Sequence, residues 1–239
     1  MLQLIGFDGD DTLWHSEGYY REANDAFAAI MARYVDLGDQ QVADAMLATE
    51  QRNLQVFGYG AKGMALSMVE TAIAISDQRI SASDIHRLVE LGKSVLQHPV
   101  ELLPGIREAV EAVAANYPVV LITKGDLFHQ ESKIERSGLA DLFRRIEVVS
   151  EKDATTYARV LRELDVAASR FVMIGNSLRS DIEPVVALGG WGIHMPYHIT
   201  WAHEAEHALA EGEPRMLQVT SAHELHGAIQ HVASLAAAA

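Results

Sequence analysis

The feature that most constrains the fold of this chain is a regular alternation of short apolar strands and helices after Pro104. Apolar and β-branched residues fill four short segments, and a helical pattern follows each of them. The strand segments are 118–123, 146–149, 170–175 and 190–195. Strands that alternate with helices in this way pair in parallel and are covered by helices on both faces. The sequence therefore predicts an α/β fold with a doubly wound, Rossmann-like parallel sheet.

A fifth apolar strand, residues 2–7, stands apart from the other four. Between this strand and Pro104 the apolar residues recur at helical spacing only, over 23–34, 39–50, 62–75 and 81–96. The simplest architecture is one α/β core, residues 1–14 and 101–239, with an all-helical cap inserted at 15–100. The alanine-rich end, Ala236–Ala239, is low in complexity and is expected to fray.

The composition excludes several classes of function. The chain has no cysteine, so disulfides, thiolate metal sites and thiol nucleophiles are impossible. A formal charge of −14 disfavours nucleic acid and anionic membranes as partners, and a small anionic substrate would need a local cation. The first residues lack a basic segment and no run of about 18 apolar residues occurs, so neither a signal peptide nor a transmembrane helix is expected. We expect a cytoplasmic protein.

The residues directly after the predicted strands carry most of the candidate chemistry. In a parallel sheet these positions meet at one edge, where ligands bind. They are Asp8 and Asp10 after the first strand, Thr123 after the second, Lys152 after the third, and Asn176 and Asp181 after the fourth. Carboxylates so close together repel one another unless a cation lies among them, and oxygen ligands suit Mg²⁺. A carboxylate beside a metal ion and a lysine can attack a phosphoryl group.

These segments resemble the four motifs of the haloacid dehalogenase-like hydrolase superfamily. Residues 7–13, FDGDDTL, resemble the first motif, DxDx[TV], and Leu121–Thr123 resembles the second, a strand that ends in Ser or Thr. Lys152 resembles the third motif, and Gly175–Asp181 resembles the fourth. The motifs occur in the family's order, each at a predicted strand end. The helical segment lies between the first and second motifs, where the family inserts a helical cap.

The resemblance implies a phosphohydrolase mechanism. Asp8 would attack phosphorus and form an aspartyl-phosphate. Asp10 would protonate the leaving group and later activate water, which requires that its proton be held near neutral pH. Thr123 and Lys152 would hold the oxygens of the transferring phosphoryl group.

The resemblance also implies a magnesium site. Mg²⁺ would lie between Asp8, the backbone carbonyl of Asp10 and the fourth-motif residues Asn176 and Asp181. The fourth motif of the family often begins Gly-Asp, whereas this chain has Asn176 after Gly175. An amide oxygen can still bind Mg²⁺, but the site loses one negative charge. We therefore expect weaker metal binding, with more of it carried by Asp181.

The predicted function is Mg²⁺-dependent hydrolysis of a small phosphorylated metabolite, such as a nucleotide, a flavin phosphate or a sugar phosphate. A phosphomutase, a haloacid dehalogenase and a non-catalytic protein that binds a phosphate ligand are the alternatives. Dehalogenases of this superfamily usually lack an acid two residues after the nucleophile, so Asp10 favours a phosphatase. The sequence predicts no oligomeric state.

Two further motifs resemble sites that we interpret as chance matches. Gly58–Gly63 matches GxGxxG, but this dinucleotide fingerprint needs a preceding strand, and here the surroundings are helical. We interpret it as a loop. His203–His207 matches HExxH, the helix of zinc hydrolases. Because histidines are frequent beyond residue 190, we interpret this segment as a solvated helix.

Overall fold

The computed structural model describes residues 1–199 and 213–238, which form two compact units. The core unit comprises Met1–Glu17, Val100–Lys124 and the described part of Gln130–Ala239. The helical unit comprises Gly18–Pro99 together with Gly125–His129, a short segment that the sequence did not assign to it.

Within the described residues, six strands of the core unit form one parallel sheet. Their order is β3-β2-β1-β4-β5-β6. The strands are β1 (Leu4–Phe7), β2 (Val119–Lys124), β3 (Arg145–Val149), β4 (Phe171–Gly175), β5 (Trp191–His194) and β6 (Met216–Gln218). The strand that precedes the helical segment thus joins the sheet, between β2 and β4, as predicted. The sequence did not predict β6, which adds a sixth strand to the five expected.

Helices cover both faces of this sheet. They are α5 (Ile106–Ala114), α6 (Leu127–Ser137), α7 (Ala154–Glu163), α8 (Glu183–Ala187) and α9 (Leu225–Ala238). Successive residues of a strand point to opposite faces. In β2, Val119 and Leu121 belong to a core formed with α5 and α9, whereas Val120 and Ile122 belong to a second core formed with α7 and α8. This arrangement confirms the doubly wound fold. At the alanine-rich end, which was expected to fray, α9 continues to Ala238 and Ala236 packs against the first core.

The helical unit has its own apolar core. It is built from α1 (Glu17–Met31), α2 (Asp39–Phe57), α3 (Ala61–Ile75) and α4 (Ala82–Gln97). Phe27, Met68 and Leu88 are buried at its centre. Gly58 ends α2 and Gly60 precedes α3, both with positive φ, and none of the described residues of this unit forms a strand. The GxGxxG segment is therefore a turn between helices, continued into the first turn of α3.

Candidate active site

The strand order places a crevice at the carboxyl end of β1. Because β1 lies between β2 and β4, the next two strands of the chain lie on one side of it and the last three on the other, and ligands of open α/β sheets bind at such a point. Phe7 pairs with Leu121 on one side and with Ile174 on the other. The amide of Asp8 continues the ladder by donating to the carbonyl of Ile174 at 2.9 Å. The segments that carry the four motifs therefore begin at adjacent positions.

Asp8 is buried, with 6% of its surface exposed, and receives two side-chain hydrogen bonds. The hydroxyl of Thr12 donates to Oδ2 at 2.9 Å, and the ammonium of Lys152 donates to Oδ1. Burial raises the pKa of Asp8 to about 7, because the attraction of Lys152 offsets only part of the desolvation and the charge of Asp181 opposes ionisation. The positive charge of Lys152 therefore compensates the negative charge of the Asp8 carboxylate only in part.

Lys152 is shared between two carboxylates. Besides contacting Asp8, its Nζ donates to Oδ1 of Asp181 at 2.7 Å, while Oδ2 of Asp181 accepts from the amide of Ser177 at 3.0 Å. Burial alone would lower the pKa of Lys152, but the charges of Asp181 and Asp8 raise it well above its ordinary value. The lysine therefore stays protonated. Asp181 has a protein donor on each oxygen, so its observed contacts orient Lys152.

The backbone permits this close approach of Asp181. A Cβ on Gly175 would lie 2.2 Å from Oδ2 of Asp181, so only glycine fits at the end of β4. Asp181 itself lies in one turn of π-helix, Leu178–Ile182, a rare element that occurs often at functional sites.

Asp10 is held by three donors. Nε1 of Trp14 donates to Oδ1 at 2.6 Å, Nε2 of Gln130 donates to Oδ2 at 2.8 Å, and Nζ of Lys133 lies within 2.7 Å of both oxygens. Burial raises the pKa of Asp10, but the charge of Lys133 and the hydrogen bonds from Lys133, Gln130 and Trp14 bring that pKa below its ordinary value. These three donors therefore favour the carboxylate form of Asp10, whereas the resemblance implied a proton held near neutral pH.

Oxygen atoms suited to a divalent cation converge beside Asp8. The side-chain amide of Asn176 lies 3.3 Å from both Oδ2 of Asp8 and the backbone carbonyl of Asp10. With its NH₂ toward them, the amide donates to both oxygens. With its carbonyl toward them, the Asn176 oxygen lies 3.3 Å from each of the other two acceptor oxygens, close to the ~3 Å edge of a magnesium octahedron. The donor set therefore fits Mg²⁺. No group of three His, Asp or Glu side chains with metal-binding geometry occurs in 1–199 and 213–238, so this set depends on a carbonyl and an amide.

Thr123 and Lys124 end β2 at the same edge. Thr123 is buried, and its hydroxyl lies 3.2 Å from where a Cβ on Gly9 would be, directly over the turn between Asp8 and Asp10. Nζ of Lys124 donates to the hydroxyl of Ser180 at 2.9 Å. Lys124, which also ends the second predicted strand but was not among the predicted site residues, is thus a third lysine of this edge.

Four residues that contact the predicted aspartates were not among the predicted site residues: Thr12, Trp14, Gln130 and Lys133. Thr12 and Trp14 lie in or beside the first motif, so proximity in sequence was a usable signal. Gln130 and Lys133 are spaced i, i+3 on α6, which places them on one helix face. The HExxH segment, His203–His207, lies outside the described residues.

Comparisons with known proteins agree with this architecture. The family model for haloacid dehalogenase-like hydrolases matches residues 2–189. A haloacid dehalogenase-like hydrolase of Xanthomonas campestris is 58% identical, with a TM-score of 0.89, and the alignment covers 99% of this chain and 94% of that chain. None of the curated proteins matches.

More distant structures share the fold. A 2-haloacid dehalogenase of Pseudomonas syringae has a TM-score of 0.64 at 20% identity, with 97% of this chain and 99% of that chain covered. A predicted phosphoglycolate phosphatase of Haemophilus somnus has a TM-score of 0.63 at 16% identity, with 96% and 98% covered. Identities this low show the fold alone. The match over residues 2–189, on a fold that brings all four motifs to one sheet edge, shows that this chain belongs to the haloacid dehalogenase-like hydrolase family.

Proposed function

We propose that this chain hydrolyses a small phosphomonoester in a Mg²⁺-dependent reaction, with Asp8 as the nucleophile. The observation that carries the proposal is the second carboxylate, Asp10, which three donors hold two residues away with 28% of its side chain exposed. Phosphoryl transfer to Asp8 and then to water needs a group that exchanges protons with the leaving alcohol and with water. A dehalogenase releases halide, which takes no proton, so it needs no acid for its leaving group.

The reaction has two steps. In the first, an oxygen of Asp8 bonds to phosphorus, the bond to the leaving oxygen breaks, and that oxygen takes up a proton from Asp10. In the second, water attacks the aspartyl-phosphate, passes a proton to the carboxylate of Asp10 and releases inorganic phosphate with free Asp8. The contacts described above favour the carboxylate form of Asp10, which is the form that activates water. Lys152 and Thr123 hold the phosphoryl oxygens.

The charges at this sheet edge suit a phosphate dianion. Three lysines, Lys124, Lys133 and Lys152, accompany three carboxylates, Asp8, Asp10 and Asp181. Lys124 also pairs with Glu151, so these groups carry no excess of positive charge, and a bound divalent cation would supply the charge that a phosphate dianion needs. Asp8, the Asp10 carbonyl and Asn176 would hold the cation, whereas Asp181, which the resemblance also implied as a ligand, contacts Lys152 and the amide of Ser177. When bound, Mg²⁺ supplies charge neutralisation for the transferring phosphoryl group.

Phosphate release from a panel of sugar phosphates, nucleoside monophosphates and flavin mononucleotide tests the proposal. We expect turnover by the wild type with Mg²⁺, loss with EDTA, and loss of at least about 10³-fold in Asp8→Asn. Asp25→Asn, an exposed aspartate of α1, is the matched control and should retain wild-type turnover.

Each other outcome points elsewhere. Turnover that survives Asp8→Asn would place the chemistry at another site. Transfer of phosphate within a sugar, without release, would indicate a phosphomutase. Halide release from 2-haloacids, with no phosphate release from any ester, would indicate a dehalogenase. Binding of phosphate esters without turnover would indicate a binding protein.

A further inference from the structure

Helix α6 has an unusual distribution of polar and apolar residues. Its apolar Leu127 and Phe128 are 57% and 75% exposed, whereas Gln130 and Lys133 are 2% and 5% exposed. A helix that stabilised the fold only by packing would show the opposite pattern. Burial of a lysine is costly unless the ammonium is paired and hydrogen-bonded. Apart from Ile134, which is buried in the apolar core, the buried face of α6 therefore carries polar residues.

Those polar contacts converge on one group. Nζ of Lys133 lies within 2.7 Å of both oxygens of Asp10, and Nε2 of Gln130 donates to Oδ2 of Asp10 and to the backbone carbonyl of Lys124, at 2.8 Å in both cases. Gln130 thereby joins Asp10 to the end of β2. The indole of Trp14, which lies in the same loop as Asp10, is the third donor to this carboxylate. Asp10 follows the end of β1 in a turn, so side-chain contacts must determine where its carboxylate points.

A purely structural role explains this arrangement poorly. Buried ion pairs are often no more stabilising than apolar residues of similar size, because both charges lose their hydration. In addition, Asp10 keeps 28% of its side chain exposed while Lys133 keeps 7%. The donor is enclosed and the acceptor remains accessible, as expected when the acceptor must meet a substrate.

We propose that Lys133 is a positioning residue, which together with Gln130 fixes the carboxylate of Asp10 where it acts in the reaction. The inference rests on the proposed function, in which Asp10 exchanges protons with the leaving group and with water. Lys133 itself touches neither the substrate nor the phosphoryl group in this scheme. Its effect on turnover must therefore pass through Asp10.

A double-mutant cycle tests this dependence. We expect Lys133→Met to lower kcat about 10²-fold, the cost of a misplaced catalytic group, with KM changed less than about threefold. In an Asp10→Asn background the same substitution should change kcat less than about twofold, since the group that it positions has gone. Lys133→Gln, which can still donate a hydrogen bond, should fall between the wild type and Lys133→Met. Lys93→Met removes an exposed lysine paired with Glu90 on α4 and should leave kcat unchanged.

If Lys133→Met lowered kcat by the same factor in the wild type and in Asp10→Asn, the proposal would be overturned, because a structural defect does not depend on Asp10. Thermal unfolding identifies variants that fail to fold. If Lys133→Met does so, Lys133→Gln carries the same cycle.

Crystal structures of the wild type and Lys133→Gln give a readout independent of turnover. We expect the 2.6 Å contact between Trp14 Nε1 and Asp10 Oδ1 to lengthen or break in the variant. An unchanged Asp10 would overturn the positioning role whatever the reaction proves to be. Absence of any Asp8-dependent turnover by the wild type, with Asp10 displaced in Lys133→Gln, would instead refute the proposed function alone.

Discussion

Two buried aspartates, one in each unit, have opposite electrostatic surroundings. Asp8 in the core unit is 6% exposed and Asp84 in the helical unit is 4% exposed. Asp84 accepts hydrogen bonds from the hydroxyl of Tyr34, the guanidinium of Arg33 and the hydroxyl of Ser81, which lower its pKa to about 2. Burial instead raises the pKa of Asp8 to about 7, despite its contact with Lys152.

The difference separates a structural carboxylate from a reactive one. The donors around Asp84 tie the end of α1 to the start of α4, and its charge is fully used in that contact. Asp8 shares its one lysine with Asp181, and its Oδ2 lies 3.3 Å from the side-chain amide of Asn176, which lies as close to the Asp10 carbonyl. A buried carboxylate whose charge is only partly compensated is stabilised most when a cation or an electrophilic phosphorus lies beside it. Burial alone would not have distinguished the two residues.

The largest effect that this comparison predicts follows removal of the shared cation. Lys152→Met leaves two buried carboxylates without their donor, so we expect the free energy of unfolding to fall by about 3 kcal/mol and turnover to fall about 10³-fold. Urea denaturation and phosphate release measure the two losses. Lys124→Met, at a lysine that is 17% exposed, should cost less stability. A loss below about 1 kcal/mol would mean that Lys152 does not compensate Asp8.

How far the sequence predicts the fold depends on the length and apolar content of each element. The strands β1, β2, β4 and β5 were predictable because each is a buried apolar run between helical patterns. Strand β3 is only partly buried, and its apolar residues Ile146, Val148 and Val149 sufficed to predict it. Strand β6 has three residues, none of them fully buried, so it left no apolar run to detect. The alanines of α9 form a low-complexity run that carries no amphipathic signal, although Ala236 packs against the core.

The residues of the candidate site were likewise predictable from the sequence only in part. Asp8, Thr123 and Lys152 were predictable as candidates because strand ends converge wherever a sheet is parallel. Lys133 was not, because it lies in the middle of a helix and only the tertiary packing of α6 turns it toward Asp10. The ionised state of Asp10 depends on that contact and was therefore also beyond reach. The polar pair Gln130 and Lys133 indicates a functional contact only once the structure shows that both are buried while Leu127 and Phe128 are exposed.

The second prediction concerns pH and has opposite signs at the two aspartates. The pKa of Asp8 rises from an ordinary 3.8 to about 7 on folding, so its contribution to stability is complete below pH 3.8 and is lost as the pH rises through about 7. In metal-free protein, the unfolding free energy of the wild type relative to Asp8→Asn should therefore fall by about 2 kcal/mol over this range, the shift being discounted for relaxation. Asp84, with a pKa lowered to about 2, contributes above pH 3.8 and loses that contribution as the pH falls through about 2.

Urea denaturation of wild type, Asp8→Asn and Asp84→Asn between pH 2.5 and 8, with EDTA present, measures both differences. The free energy by which the wild type is more stable than Asp84→Asn should decrease as the pH falls. The free energy of unfolding of the wild type relative to Asp8→Asn should instead be largest at low pH. Parallel curves for the two variants would show that the surroundings of Asp8 and Asp84 do not differ in the way their contacts indicate.

The smallest predicted effect tests the charge shortage at Asp8 directly. Asn176→Asp places a further carboxylate 3.3 Å from Oδ2 of Asp8 and from the Asp10 carbonyl, so the metal-free protein should become less stable and bind Mg²⁺ about tenfold more tightly. The Mg²⁺ dependence of Tm reports this affinity without reference to turnover, because a ligand that binds the folded state raises its stability by mass action. Asn116→Asp adds the same charge at an exposed position after α5 and should leave the dependence unchanged. Equal Mg²⁺ affinity in wild type and Asn176→Asp would place the cation elsewhere. A gain confined to Asn176→Asp would show that these three oxygens, unlike the saturated oxygens of Asp84, are arranged for a cation.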